Sequence, residues 1–258
     1  MNTAQPPWPL EALWQQLDAL WPGLSVELLP EVDSSNTELM RRARAGWHEP
    51  LLLIAERQSA GRGRLGKSWS SQPGQALTFS LGLPLAPRDW SGLSLTVGLA
   101  LAESLHPAVQ IKWPNDLWLD GARKLCGILI ETASSAGSAA AERYCVIGVG
   151  LNIHCPPGAD LATPAASLQE LLPGIDAGSA LLRLAPALLQ AVQTFAQQGF
   201  APLQPRFAAR DLLRARNVRL SDGRQAWCEG VAADGALLLR DGAGLQALTS
   251  ASVSVRPM

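Results

Sequence analysis

Apolar residues recur at helical spacing near the start of the chain, at Leu10, Leu13, Trp14, Leu17, Leu20 and Trp21, and Pro22-Gly23 ends that pattern. Val26–Leu29 reads as a strand. Asp33-Ser34-Ser35-Asn36-Thr37 supplies capping residues ahead of a helix over Glu38–Ala45, which Gly46 stops. Ser34 and Ser35 either cap that helix or turn their hydroxyls on a small polar ligand. Apolar runs at Leu51–Glu56 and Ala76–Leu83 predict buried strands. Ser91–Leu105 is apolar nearly all round and predicts a core helix, although the alternation of Leu93, Leu95, Val97 and Leu99 also fits a strand. Val109–Trp113 opens the most polar-rich central run, and strands are expected at Leu117–Leu119, Lys124–Glu131 and Tyr144–Ile153, with a turn at Asp120-Gly121. Ala180–Gln198 predicts a long amphipathic helix and Pro205–Leu213 a shorter one. Residues 1–9 are expected to be disordered, 133–141 to be a flexible connection and 156–178 to be loop-rich.

The tail changes character. Asn217–Leu220, Gln225–Val231, Ala236–Arg240, Gly244–Leu248 and Val253–Val255 are short strand candidates. Asp222-Gly223, Asp234-Gly235 and Asp241-Gly242 mark hairpin turns between them. A small β-barrel over residues 214–258 follows, after a larger domain over 1–213.

Composition narrows the class. Hydrophobic residues make up 47% of the 258 and charged ones 17%, which suits core-rich globular domains. The net charge of −1 argues against a broad nucleic-acid surface. Cys126, Cys145, Cys155 and Cys228 show no C-x-x-C pairing, and His48, His106 and His154 make no metal motif. The N-terminus has no basic start and no apolar core of a signal peptide, and no apolar run is long enough for a membrane. A cytoplasmic protein in a reducing compartment is expected.

Candidate chemistry gathers where polar residues interrupt this apolar pattern. Gly61-Arg62-Gly63-Arg64-Leu65-Gly66-Lys67-Ser68-Trp69 places three glycines within six residues, threaded with cations and closed by an aromatic face. Such a loop offers backbone N–H groups and positive charge to one anion. It also reads as G-x-G-x-x-G, but no helix follows it and no acidic residue closes a next strand, so the dinucleotide reading fails. Lys112, Asn115, Asp116, Lys124 and Asn152 lie on or beside core strands, where a lysine is costly without an anionic partner. Gly148 and Gly150 inside a strand mark close backbone approach. No nucleophile elbow, Cys–His pair or Walker A sequence is present. The pattern points to a focused cationic pocket for phosphates, suited to phosphoryl or nucleotidyl transfer.

Several segments together resemble one family. Gly61–Gly66, Lys112-Trp113-Pro114-Asn115-Asp116, Lys124-Leu125-Cys126-Gly127-Ile128-Leu129-Ile130-Glu131 and Gly148-Val149-Gly150-Leu151-Asn152 resemble, in order and spacing, the motifs of biotin protein ligases. Asp33-Ser34-Ser35-Asn36 resembles that family's D-S-T-N segment. The similarity spans about residues 30–256. It implies an α+β fold: a mixed β-sheet catalytic domain of the class II aminoacyl-tRNA synthetase and biotin ligase type, then an SH3-like barrel. The implied reaction joins biotin to ATP as biotinyl-5′-AMP. Biotin then passes to a lysine of a biotin carboxyl carrier protein, from acetyl-CoA carboxylase or a related carboxylase.

By resemblance, Ser34, Ser35, Asn36, Gln58, Gly61, Arg62, Lys124, Gly127 and Gly148 would bind biotin. Arg62, Gly63, Arg64, Trp69, Lys112, Asn115, Asp116 and Asn152 would hold ATP or the adenylate, with Lys112, Lys124 and Arg64 catalytic. Asp116 either holds the adenylate or helps place Mg2+. The loop is expected to be mobile when free and to order over ligand. Leu65 stands where repressor-type members carry arginine, and Cys126 where alanine is common. About 30 residues precede the first motif, too few for the DNA-binding domain of repressor-type members, so no DNA partner is expected. Monomer and homodimer both remain open. Lipoate ligases carry an R-R-x-x-G-G loop and an H-D pair that are absent here. A biotin sensor without catalysis would not need Lys112 and Lys124.

Overall fold

The computed structural model describes residues 8–134, 142–156, 163–249 and 254–258. The expectations for residues 1–7 and 135–141, for 157–162 of the loop-rich stretch and for Val253 lie outside them. Helix α1 (Leu10–Leu20) leads to strand β1 (Ser25–Val32), helix α2 (Ser35–Arg44) and strand β2 (Leu51–Gln58). Strand β3 (Ala76–Leu85), helix α3 (Leu93–Leu105) and strands β4 (Gln110–Lys112), β5 (Asp116–Leu119), β6 (Arg123–Ser134) and β7 (Arg143–Asn152) follow. Helices α4 (Ala177–Gln198) and α5 (Gln204–Ala208) precede β8 (Arg216–Leu220), β9 (Gln225–Val231), β10 (Leu237–Asp241), β11 (Gly244–Leu248) and β12 (Val255–Pro257).

The first seven strands form one mixed sheet in the order β1-β2-β3-β7-β6-β5-β4, with β1 and β2 parallel and the other pairs antiparallel. Both faces are covered, so the central strands read as continuous apolar runs. Their alternation still separates the faces. Leu52, Ile54, Phe79, Leu81, Ile147 and Val149 join the main core, which also holds residues of α1, α3 and α4. Leu51, Leu53, Tyr144 and Val146 instead pack on Leu39, Met40 and Ala43 of α2. On that second face the register opposes Thr78 to Gly150 and Ser80 to Gly148, and Gly150 in turn to Gly127. Small and polar residues there leave a hollow beside α2.

Strands β8 to β12 form an antiparallel sheet in the order β11-β10-β9-β8-β12. The α+β class holds: a mixed sheet with helices, then a five-stranded sheet. Trp113 Nε1 donates to Gly235 O at 3.1 Å, tying the two sheets' regions together.

Three local expectations shift. Helix α2 starts at Ser35 rather than Glu38, because Ser34 takes the N-cap and accepts from Thr37 N. Ser91–Leu105 is helical from Leu93, behind a left-handed Gly92 cap. The helix predicted to reach Leu213 ends at Ala208, because Arg210 O accepts from Ile111 N at 2.8 Å and Leu212 N donates to Ile111 O at 2.9 Å. Backbone pairing with β4 competes successfully with helix there.

Asp211 sits in that junction. Its Oδ1 accepts from Leu213 N at 2.9 Å, while Oδ2 is buried with no hydrogen-bond partner among the described residues. Burial pushes its pKa up to about 6, against backbone hydrogen bonds that lower it. The folded value lies above the unfolded one, so Asp211 costs stability progressively as pH rises from about 4 to 6 and fully above. Asp211→Asn keeps the Oδ1 acceptor and should stabilise the fold by about 2 kcal/mol at pH 8, with the gain fading toward pH 4. Urea melts at both pH values check this.

Candidate active site

The hollow is closed by the end of β1, the start of α2 and the glycine loop. At its inner end Ser35 N and Oγ both donate to Gln58 Oε1, at 2.7 and 3.1 Å. Ser80 Oγ lies 2.7 Å from both Ser35 Oγ and Asn36 Oδ1, and Asn36 Nδ2 donates to Leu129 O and Glu131 Oε2 at 3.1 Å. A network so fully paired fixes its rotamers. Ser34 caps the helix, as one reading of the serine pair has it, while Ser35 lines the polar end of the hollow.

The glycine loop folds as a small hairpin. Gly63 N donates to Lys67 O at 2.7 Å and Trp69 N to Gly61 O at 2.8 Å. Leu65 sits at the tip with φ of 56°, in the left-handed region. Behind the hairpin, the Trp69 ring lies on Gly127 of β6 and Gly150 of β7. A Cβ at Gly150 would lie 2.4 Å from Trp69 Cε2, and one at Gly127 3.4 Å from Trp69 Cζ3. At the pocket's other end, a Cβ at Gly148 would meet Asn36 Oδ1 at 2.1 Å. Trp69 Nε1 is buried without a hydrogen-bond partner among the described residues.

The cations cluster beyond Trp69. Lys124 Nζ is 2.7 Å from Asp116 Oδ1 and 5.9 Å from the Trp69 ring centroid. Lys112 is only 6% exposed and stands 5.2 Å from the Trp118 ring centroid. Burial lowers its pKa to about 8; Lys124, Lys67 and Arg256 push the same way and Asp116 opposes them. Burial likewise lowers the pKa of Arg64, whose Nη1 is 3.4 Å from Asn115 Oδ1. Asn115 Nδ2 donates to Ile128 O at 2.8 Å, and Asn152 Nδ2 to Ala166 O at 3.0 Å. Arg62 reaches Thr37 Oγ1 at 3.4 Å and Glu131 Oε1 at 3.5 Å.

Two chambers result. One, of about 140 Å3, reaches Ser34, Ser35, Asn36, Gln58, Arg62 and Gly148. A wider one, of about 620 Å3, reaches Asn152, His154, Gln75 and Arg256. Lys67, Trp69, Lys112, Asp116 and Lys124 line both. Gly63, Arg64, Asn115 and Gly127 line the first, and Gly61 supports the Trp69 backbone. Of the residues expected to bind biotin or the adenylate, all but Gly61 line one chamber or the other. Sequence reasoning missed Ser80 and Thr78, although their alternation with Leu77, Phe79 and Leu81 carried a signal. It also missed Ser254, just before β12, and Arg256 on that strand, neither of which has a local motif.

Residues 29–152 match the model of the biotin/lipoate A/B protein ligase family. The bifunctional ligase/repressor BirA of Escherichia coli is 34% identical over 245 residues, covering 91% of this chain and 75% of that protein. The chain belongs to the biotin protein ligase family. The biotin--[acetyl-CoA-carboxylase] ligase of Paracoccus denitrificans, another ligase of the family, is 33% identical, covering 88% of this chain and 98% of that one. The Aquifex aeolicus biotin protein ligase, solved in complex with biotin and ATP, superposes with a TM-score of 0.74 at 25% identity, covering 92% of this chain and all of that one. Among the described residues, no helix is long and apolar enough to cross a membrane.

Proposed function

We propose that this protein is a biotin--[biotin carboxyl-carrier protein] ligase, working in the cytoplasm, with a catalytic domain over 1–213 and a β-barrel domain over 214–258. The observation that carries the reading is the pair of chambers meeting at Trp69, Lys112, Asp116 and Lys124. Biotin fits the smaller chamber, its ureido group facing Ser35, Asn36 and Gln58. ATP fits the wider one. The biotin carboxylate attacks the α-phosphorus, and pyrophosphate leaves. A carrier lysine then attacks the acyl carbon, and AMP leaves.

The chain's own charges explain the first step. A carboxylate approaching a triphosphate meets repulsion. Lys124 lies between the chambers and faces both anions, while Lys112 faces the phosphate. These donors are already in place, so little reorganisation is needed as charge builds. Trp69 shields the junction from water and offers its ring to adenine. Asn115 and Asn152 hold the adenylate. Asp116 is the one acidic side chain lining either chamber among the described residues, so it is the group that fits a Mg2+ arriving with the triphosphate. That ion would supply further charge neutralisation on the phosphates.

Incubation with labelled biotin, ATP and a carrier domain tests the reading; a folded enzyme that neither releases pyrophosphate nor labels the carrier overturns it. Lys112 adds a pH test. In the free enzyme its charge is lost above about pH 8. The rate constant kcat/KM for ATP should therefore fall as pH rises through about 8. Bound phosphate restores the proton, so kcat should hold to higher pH. The same depressed pKa makes this residue's contribution to stability rise with pH between about 8 and 10.5.

The loop supplies the lid. Arg62 already contacts Glu131 and Arg64 contacts Asn115, and an adenylate phosphate would offer both a further anchor, so the loop should order more tightly over the adenylate than it does when free. Arg64→Gly keeps the backbone contacts but removes the guanidinium beside Asn115. This variant should still make biotinyl-5′-AMP but release it about 10-fold faster, consistent with losing one charged hydrogen bond. Adenylate dissociation rates and labelling of a bystander protein check it. Retention equal to the parent's would contradict the lid.

A further inference from the structure

The sequence holds three lysines against eighteen arginines. All three, Lys67, Lys112 and Lys124, line both chambers. Every cationic side chain elsewhere is a guanidinium, which stays protonated and does not act as an amine nucleophile. An enzyme that makes an acyl-adenylate therefore carries its ε-amines only where that anhydride forms.

The three amines differ in freedom. Lys112 is 6% exposed, and Lys124 is ion-paired to Asp116 at 2.7 Å. Lys67 is exposed, and makes no ion pair within 4 Å among the described residues. Its backbone is pinned by Gly63 N donating to Lys67 O at 2.7 Å and by Lys67 N donating to Arg64 O at 3.2 Å. The side chain then swings from a fixed point at the junction of the chambers. It is close enough to Lys112 to oppose that residue's protonation.

We propose that Lys67 is a self-acylation site, on which the enzyme transfers biotin to itself when no carrier is docked. This rests on the adenylate-forming function proposed above. The ε-ammonium first loses a proton to water. The neutral nitrogen attacks the acyl carbon of biotinyl-5′-AMP, forming the C–N bond of an amide. The bond from acyl carbon to phosphate oxygen breaks, and AMP leaves with the electron pair. The amine's second proton goes to solvent. Tethering makes the reaction intramolecular, which raises the effective concentration of an amine otherwise no better than any other lysine. The product loses a cation at the junction and carries a biotinyl group at the mouth, so self-acylation stops at one group per chain and slows further turnover.

The test uses the full-length enzyme with biotin, Mg2+ and ATP and no carrier, followed by intact mass, peptide mapping and pyrophosphate release. The expected result is one biotinyl group per chain, mapped to Lys67, with a first-order rate independent of enzyme concentration. Lys67→Arg should remove that label. The proposal is overturned if pyrophosphate is released while Lys67 stays unmodified. It is equally overturned if the label sits on the α-amine, if the rate scales with enzyme concentration, or if labelling persists in Lys67→Arg. Absent pyrophosphate release from the parent enzyme sinks the ligase reading itself, and this proposal with it.

Discussion

Replacing Lys124 with alanine is expected to abolish biotinyl-5′-AMP formation in a protein that still folds. Lys124 is the cation that both chambers share with a carboxylate partner, Asp116, at 2.7 Å. In the proposed reaction it faces the attacking carboxylate and the phosphate at once, so its contribution grows toward the transition state. Removing one such preorganised donor costs about 3–4 kcal/mol, or a factor of about 10² to 10³ in kcat. The substitution also strands Asp116, whose charge then adds repulsion toward the phosphates. Asp116→Asn separates the two effects: paired with Lys124→Ala, it should recover part of the loss if stranded charge contributes. Pyrophosphate release near the parent rate by a folded Lys124→Ala protein would remove Lys124 from the mechanism. Circular dichroism confirms folding in the same sample.

How much of this site could be read before the structure depends on where each residue's constraint lies. The glycine loop, the Lys112–Asp116 run and Lys124 sit in contiguous motifs, and polar residues inside apolar strands need a local reason. Strand positions followed from apolar runs because both sheet faces are covered. The partition of those strands into two faces was less visible. It rests on small residues at alternate positions of β3 and β7, where absence of a side chain is the signal. Arg256 could not be found locally, because only the packing of the C-terminal sheet brings it to the wider chamber. The short α5 misled for a related reason. Helical propensity in Pro205–Leu213 was outcompeted by backbone pairing between Ile111 and residues 210–212, a tertiary effect no local pattern records.

The hollow's dependence on missing side chains gives the second large effect. A Cβ at Gly150 would sit 2.4 Å from Trp69 Cε2 and 2.7 Å from Cζ2 and Nε1, distances at which something must move. The strand will not yield, since Gly150 pairs with Thr78 on one side and Gly127 on the other. The Trp69 ring is therefore displaced from the wall between the chambers. Gly150→Ala should lower kcat/KM for ATP by about 10²-fold, the usual cost of misplacing a positioning group by an ångström. Its stability should fall by only about 1–3 kcal/mol, because Trp69 lies on a surface hairpin that can shift. Gly127→Ala is the matched control. There a Cβ would meet Trp69 at an ordinary 3.4 Å and the flexible end of Lys124 at 3.2 Å, so the loss should stay within about 10-fold. If Gly150→Ala acts through the ring, its effect should largely vanish in a Trp69→Ala background, as expected for two residues in direct contact. Fully additive losses in that double variant would show that Gly150 serves the site by some route other than seating Trp69.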